Sequence, residues 1–331
     1  MLWLASLLSL SLAQAQGNSS TAGPLSKRLV HQFPNGTWIE NLVIRPNGFI
    51  LATQATAPNL YVVNPFTGAA DLLYTFPDAE GLSGITQVGE DVFYVAVGNS
   101  SIPLHSGVQG SWSLWQIDYS PKDCAGPVIT KWMNLPNQTN VDGITTLDAN
   151  RGLILGADIS QGNVFRVDLK ALTSNVAIKD PLLLPSPTKP TGVNGVKIRD
   201  RTLFFTNTGI NLIGKVPIDS DGNALSNASV VQPFNADDFT FDHSGNILSV
   251  AGKGNLTETY APSYSQYQGL LSFPGPTSCQ FGRTAFDSGC LYVTTTGNDS
   301  AYEYRTAAPI AVGGAVYAVD LFKNGSCPSV Q

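Results

Sequence analysis

The chain has 331 residues, 43% of them apolar and only 13% charged, with a net charge of −6. Surface helices need many Lys, Glu and Arg, and disorder needs few apolar residues, so helix-rich and mostly disordered architectures are both excluded. An acidic balance without any basic run excludes nucleic acid as a partner, and 32 Gly and 21 Pro spread along the whole length point to an all-β protein with many turns.

In chain order, residues 2–12 form an apolar run that ends in Ala13-Gln14-Ala15, an A-x-A cleavage site. Residues 1–15 are therefore predicted to be a secretory signal peptide, with 16–331 as one domain. No later segment approaches the ~20 apolar residues of a membrane span, so no membrane contact is expected after cleavage. Eight N-x-S/T sequons, at Asn18, Asn35, Asn99, Asn137, Asn227, Asn255, Asn298 and Asn324, predict a glycosylated protein of the secretory pathway.

From residue 40 onward one pattern recurs. A small or polar residue opens an apolar strand, a turn follows, and a second strand rich in aromatic and β-branched residues comes next. The openers are Glu40, Ser83, Asp142, Asn194, Asp237 and Gly282, spaced 43, 59, 52, 43 and 45 residues apart. The second strands are predicted at 49–53, 92–95, 153–155, 203–206, 247–250 and 291–294. Turn residues such as Pro46-Asn47-Gly48 and Ser244-Gly245-Asn246 separate the pairs. A third strand follows at 60–65, 113–118, 164–168, 214–219 and 315–320. A period of ~40–50 residues with four strands per unit predicts a six-bladed β-propeller. The sixth repeat runs out of chain after three strands, so the strand at 27–33 is expected to complete it and close the ring. Two packed β-sandwiches are the alternative for this strand density.

Openers of innermost strands share one mouth of a propeller's channel, which Glu40, Ser83, Asp142, Asn194 and Asp237 would then ring. Converging carboxylates are costly unless compensated. A hard cation on oxygen ligands is one solution, and a hydrated polar channel is another. A third is Arg283, expected inside the sixth inner strand facing Asp237 or Glu40. The loops of the second, fifth and sixth blades are long and are assigned to the same mouth. They carry His105, Trp112, Lys253, Tyr260, Tyr264, Tyr267, Tyr302, Tyr304 and Arg305. His31 and His243 fall away from it. Sequons Asn35, Asn99, Asn137, Asn255 and Asn298 map to the mouth side, and Asn227 and Asn324 to the far face.

The openers Glu40, Asn194-Gly195 and Asp237, with Asp142-Gly143 between them, resemble the regucalcin/gluconolactonase propellers. That resemblance implies a divalent cation, Ca or another, held by Glu40, Asn194 and Asp237 for lactone or ester hydrolysis. Asp238 departs from it, standing where the family usually has Gly. The phrases Trp38-Ile39-Glu40-Asn41-Leu42, Gly192-Val193-Asn194-Gly195-Val196-Lys197 and Asp237-Asp238-Phe239 are similar to a secreted fungal branch. This branch includes the hetero-Diels–Alderases of tropolone-sesquiterpenoid biosynthesis, which need no cofactor. The resemblance implies small-molecule substrates: a tropolone o-quinone methide and a macrocyclic sesquiterpene alkene. Acid–base work would then fall to His105, Asp142 or Lys253, beside Glu40, Asn194, Asp237 and Arg283. Trp112, Tyr260, Tyr264, Tyr267 and Tyr302 are the expected substrate-binding residues. A non-enzymatic ligand-binding propeller is the remaining alternative.

Of four cysteines, Cys290 and Cys327 are assigned to the far face of the sixth blade and are expected to pair. Cys124 and Cys279 are expected to lie too far apart to bridge, since a disulfide needs Cα atoms within ~7 Å.

Overall fold

A computed structural model describes residues 25–101, 106–121, 126–251, 254–297, 312–322 and 327–328. The chain opens with β1 (Lys27–Gln32). Blade 1 is β2 (Ile39–Ile44), β3 (Ile50–Gln54), β4 (Asn59–Val63) and β5 (Ala70–Thr75). Blade 2 is β6 (Gly81–Gly89), β7 (Val92–Gly98), β10 (Ser113–Asp118) and β11 (Val128–Asn134), with a small hairpin, β8 (Ser100–Ser101) and β9 (Ser106–Gly107), inserted in it. Blade 3 is β12 (Val141–Asp148), β13 (Leu153–Asp158), β14 (Asn163–Asp168) and β15 (Thr173–Lys179). Blade 4 is β16 (Val193–Arg199), β17 (Thr202–Asn207), β18 (Leu212–Pro217) and β19 (Ser229–Gln232). Blade 5 is β20 (Phe239–Phe241), β21 (Ile247–Ala251), β22 (Asn255–Thr259) and β23 (Tyr267–Ser272). Blade 6 is β24 (Pro276–Phe281), β25 (Cys290–Thr295) and β26 (Ala315–Asp320), completed by β1.

The six-bladed propeller is thus as expected, and so is its closure. Strand β1 pairs antiparallel with β26, Lys27 opposite Val319 and Gln32 opposite Ala315. The innermost strands β2, β6, β12, β16, β20 and β24 contact one another in turn around a closed ring. Closure in this way pairs edges that would otherwise template aggregation.

Burial follows from a strand's place in its blade. The second strands lie between two neighbouring blades, and β3, β13, β21 and β25 are buried at every residue. They read as largely apolar or small runs for that reason. Outer strands such as β5, β11 and β15 alternate between exposed and half-buried positions. An apolar layer fills each gap between blades. Val43, Leu51 and Leu60 meet Phe93, Val95 and Ile117 between blades 1 and 2. Leu248, Val250 and Leu256 meet Leu291, Val293 and Val319 between blades 5 and 6. The first hairpin turns need left-handed backbone, which Gly48 (φ 88°) and Gly245 (φ 86°) supply.

Two expectations about blade 6 meet different outcomes. Cys290 and Cys327 are bonded, with Cα atoms 4.8 Å apart, and Cys279 is a buried free thiol. Cys124 lies outside the described residues. The expected inner strand at Gly282–Arg283 is corrected: β24 ends at Phe281, and 282–289 is a turn. Asp287 organises that turn, accepting from the Thr284 amide and hydroxyl, both at 2.7 Å, and from Tyr292 Oη at 3.1 Å.

Candidate functional site: a ring of bulges at the channel mouth

Every inner strand carries the same irregularity near its start. Ile39 faces Gln54, but the next paired residue is Leu42, facing Ala52. The same two-residue skip separates Leu82 from Ile85, Val141 from Ile144, and Val193 from Val196. In blade 5 the Asp237 amide donates to Val250 O (2.7 Å) and the Val250 amide to Asp238 O (3.0 Å). Blade 6 is shifted between Pro276 and Ser278. A shared hydrogen bond fixes the alignment. The amides of Asn41, Gly195 and Ser278 donate to hydroxyls of Thr53, Thr206 and Thr294 on the second strands, at 3.0, 2.8 and 3.2 Å. The first bulge position is therefore Glu40, Ser83, Asp142, Asn194, Asp237 and Thr277 around the ring. The second is Asn41, Gly84, Gly143, Gly195, Asp238 and Ser278. Bulges re-aim side chains out of the regular pleat. Here they bring together groups up to 238 residues apart in sequence: Thr277 Oγ1 donates to Ile39 O at 2.7 Å.

Glu40, Asp142, Asn194 and Asp237 accordingly stand at equivalent positions around the ring. Asn194 Nδ2 donates to Asp237 Oδ1 at 2.8 Å, and Glu40 Oε2 accepts from the Trp38 indole. Burial pushes the Glu40 carboxyl well above the usual carboxylate range, and the charges of Asp142, Asp237 and Asp238 add to this against the Trp38 hydrogen bond. Asp142 is pushed up to about 7, first by burial, then by Asp238, with Lys197 opposing. Both shifts favour the protonated carboxyl, Asp142 to about 7 and Glu40 in the same direction.

The compensating cation is Lys197, whose Nζ lies 2.8 and 3.0 Å from the two oxygens of Asp238. Ser278 Oγ donates to Asp238 Oδ2 at 2.7 Å, and Asn41 Nδ2 lies 3.5 Å from it. Sequence reasoning missed Lys197, yet a signal was present. Three residues after the first bulge positions stand Val43, Thr86, Thr145, Lys197, Thr240 and Gln280, and only Lys197 among them is charged.

Three expectations are corrected. Arg283 follows β24, is exposed, and donates to Ile44 O (3.0 Å) and to Gln87 Oε1 at the opposite end of the channel. It has no part in balancing Glu40 or Asp237. Trp112 is 2% exposed, packs against Gly98 and donates to Thr139 O at 2.9 Å, so it is a wall of blade 2 and not a substrate contact. Tyr260 and Tyr264 belong to the turn between β22 and β23, and Tyr267 opens β23 at the same end, which strand direction places away from the mouth. Tyr264 is buried, with its hydroxyl on Gly245 O in the far-face turn, and Tyr267 lies exposed beside Phe234. The cation set Glu40, Asn194 and Asp237 is tied within the protein as follows. Asn194 turns its NH2 to Asp237, Glu40 is tied to Trp38, and among the described residues no three His, Cys, Asp or Glu converge as ligands.

His105, Lys253, Tyr302, Tyr304 and Arg305 lie outside the described residues, as do Asn18, Asn298 and Asn324. Asn35, Asn137, Asn227 and Asn255 are exposed, and Asn99 is half-buried.

The fold is that of the regucalcin-like six-bladed propellers. Regucalcin from Agrobacterium tumefaciens, a calcium-binding protein, aligns over 90% of this chain and 95% of its own with a TM-score of 0.62 at 15% identity. A structure named "putative gluconolactonase" aligns over 89% and 92%, with a TM-score of 0.58 at 14% identity. No protein-family model matches the chain. In sequence it is similar to a Phoma sp protein named "Putative hetero-Diels-Alderase", 29% identical over 318 residues, covering 85% of this chain and 89% of that one. It is also similar to a Sarocladium schorii protein named "Putative hetero-Diels-Alderase asR5", 27% identical over 332 residues, covering 86% and 81%.

Proposed function

We propose that this propeller is a hetero-Diels–Alderase that works through two carboxyls of its channel mouth, Glu40 and Asp142. The observation that carries the reading is the similarity, over 85% and 86% of the chain, to two proteins bearing that name. The finer reading is that it couples a tropolone o-quinone methide to a macrocyclic sesquiterpene alkene. The apolar leader at 2–12 and the eight sequons support work in the secretory pathway.

The geometry suits such chemistry. A tropolone carrying a hydroxymethyl group becomes a quinone methide by losing water: the leaving hydroxyl takes up a proton and the ring hydroxyl gives one up. Protonated Glu40 is the donor for the first transfer. Asp142, which titrates near 7, is the group able to accept in the second. Cycloaddition then forms one C–C and one C–O bond at the expense of two π bonds, with no oxidant or reductant. It needs orientation and a hydrogen bond to the heterodiene oxygen. Holding two partners together is worth up to ~7–11 kcal/mol, and a neutral acid at the oxygen polarises it.

The test is product formation from a hydroxymethyl tropolone and a macrocyclic sesquiterpene alkene. The protein should give one dihydropyran stereoisomer faster than buffer does. Glu40→Gln and Asp142→Asn should each slow it by about 10²-fold or more. A rate and stereoisomer ratio equal to those in buffer would overturn the reading.

A further inference from the structure

Away from the mouth, a sequon and a cavity coincide. Strand direction places the loop from β18 to β19 and the turn from β22 to β23 together on the far face. Between them lies a cavity of about 480 Å³. Its floor is the Tyr264 and Phe204 rings, packed edge to face with centroids 5.7 Å apart. Lys215, Arg199 and Thr202 stand around it, and Asn227 and Ser229 of the sequon Asn227-Ala228-Ser229 line it as well.

The sequon is held in place. The Leu225 amide donates to Pro217 O at 2.9 Å, the Ala228 amide donates to Asp180 Oδ2 at 2.9 Å, and Ser229 lies opposite Lys215 in the β18–β19 ladder. A group attached to Asn227 Nδ2 therefore starts from a fixed point at the cavity's edge. The lining suits a sugar. Aromatic rings offer an apolar surface to the C–H face of a pyranose, and Lys215, Arg199 and Thr202 carry donors for its hydroxyl and N-acetyl oxygens. Lys215 Nζ stands 5.5 Å over the Tyr264 ring, and among the described residues no carboxylate pairs with it. The volume falls within the ~300–1,000 Å³ of small-molecule sites. A covalent tether also raises the local concentration to the millimolar range, so even a seat of weak intrinsic affinity is filled.

We propose that Asn227 is glycosylated and that the first sugars of its glycan are seated in this cavity, bridging blade 4 and the turn of blade 5. The attachment forms a bond between Asn227 Nδ2 and sugar C1, breaks the C1–O bond to a lipid diphosphate carrier, and releases the proton from Nδ2. The proposal rests on the secretory-pathway reading, since that route attaches the glycan.

The experiment uses the full chain secreted from a eukaryotic host. Peptide mass spectrometry reads the occupancy of each sequon, and the native protein is then treated with an amidase that cleaves the bond between Asn and sugar. The exposed sequons Asn35, Asn137 and Asn255 are the references. Asn227 should carry a glycan and lose it about tenfold or more slowly than the references, because cleavage waits on opening of the seat. Denaturation should abolish the difference. Lys215→Ala removes one wall with its donors and should bring the rate at Asn227 towards that of the references. A bare Asn227 beside occupied references, cleavage at the reference rate, or protection that Lys215→Ala leaves intact would overturn the proposal and leave the secretory reading standing. A chain bare at every sequon would overturn both.

Discussion

Blades 2, 3 and 4 build the ring of bulges differently from blades 5, 6 and 1. In the first arc the second bulge position is always glycine, and neighbouring backbones nearly touch. A Cβ on Gly84 would lie 2.4 Å from Asp142 O, and one on Gly143 would lie 2.8 Å from Asn194 O. In the second arc the same position is Asp238, Ser278 or Asn41, and side chains bridge the blades. The second arc contains the seam where the two ends of the chain meet in blade 6. Blades 2, 3 and 4 dock at this level through close backbone approach. A seam between distant segments is joined by directional hydrogen bonds, which tolerate less error in register. The acid site draws on both arcs, Glu40 from the seam side and Asp142 from the glycine side.

The sharpest way to break this contrast is to add one methyl group where the arcs meet. In Gly195→Ala the new Cβ would press on Asp238 Oδ1 at 2.4 Å, Asp238 Cα at 2.9 Å and Asp237 O at 3.0 Å. Two of those atoms are backbone and the third is clasped, so none can swing aside. Denaturant unfolding should show a loss of about 3–5 kcal/mol, at the upper end of overpacking effects. A loss below about 1 kcal/mol would mean that the blades have slack at this level.

A second effect, next in size, separates the charged ring from the rest of the fold. Asp142 has a folded-state pKa of about 7, against ~3.9 in an unfolded chain. Between those values the folded state binds the extra proton, so its stability falls as pH rises from ~4 to ~7 and remains low above. Glu40 acts in the same direction. Removing the group in Asp142→Asn should flatten the stability profile. The difference in unfolding free energy between pH 4 and pH 8 should shrink by on the order of 2 kcal/mol, discounted for the carboxyl's access to solvent. An unchanged profile would place the titrating group elsewhere.

The contrast also explains what was legible in the sequence. Blades 1 to 5 announce themselves because Glu40, Ser83, Asp142, Asn194 and Asp237 each precede an apolar run, and the bulge makes those residue types necessary. Blade 6 opens on Thr277-Ser278, which carry no charge and resemble ordinary strand residues. The repeat pattern therefore falls on Gly282, five residues late, and carries Arg283 into the channel with it. The tyrosines of blade 5 went astray for another reason. Sequence gives their spacing, but only strand parity tells which end of a blade a turn occupies, and the turn between third and fourth strands faces away from the mouth. Lys197 has no legible role within its own strand, because a single Lys reads as solvated until its partner Asp238, 41 residues on, is placed beside it.

Arg283 supplies the smallest prediction, and it tests the register of blade 6 directly. A guanidinium inside the channel beside Asp237 and Glu40 would leave several uncompensated carboxylates when removed, at a cost of ~3–5 kcal/mol. Where Arg283 actually lies, its contacts are Ile44 O and Gln87 Oε1, and its side chain is exposed. Ile44 is four residues beyond Glu40 on β2, which at ~3.3 Å per residue puts this end of the strand ~13 Å from the acid ring. That exceeds the ~10 Å screening length at 0.1 M salt. Arg283→Ala should therefore cost about 1 kcal/mol or less and leave the Asp142 midpoint where it is. A loss of several kcal/mol, or a moved midpoint, would put the arginine back among the carboxyls and undo the alignment of Thr277 and Ser278 with the other five bulges.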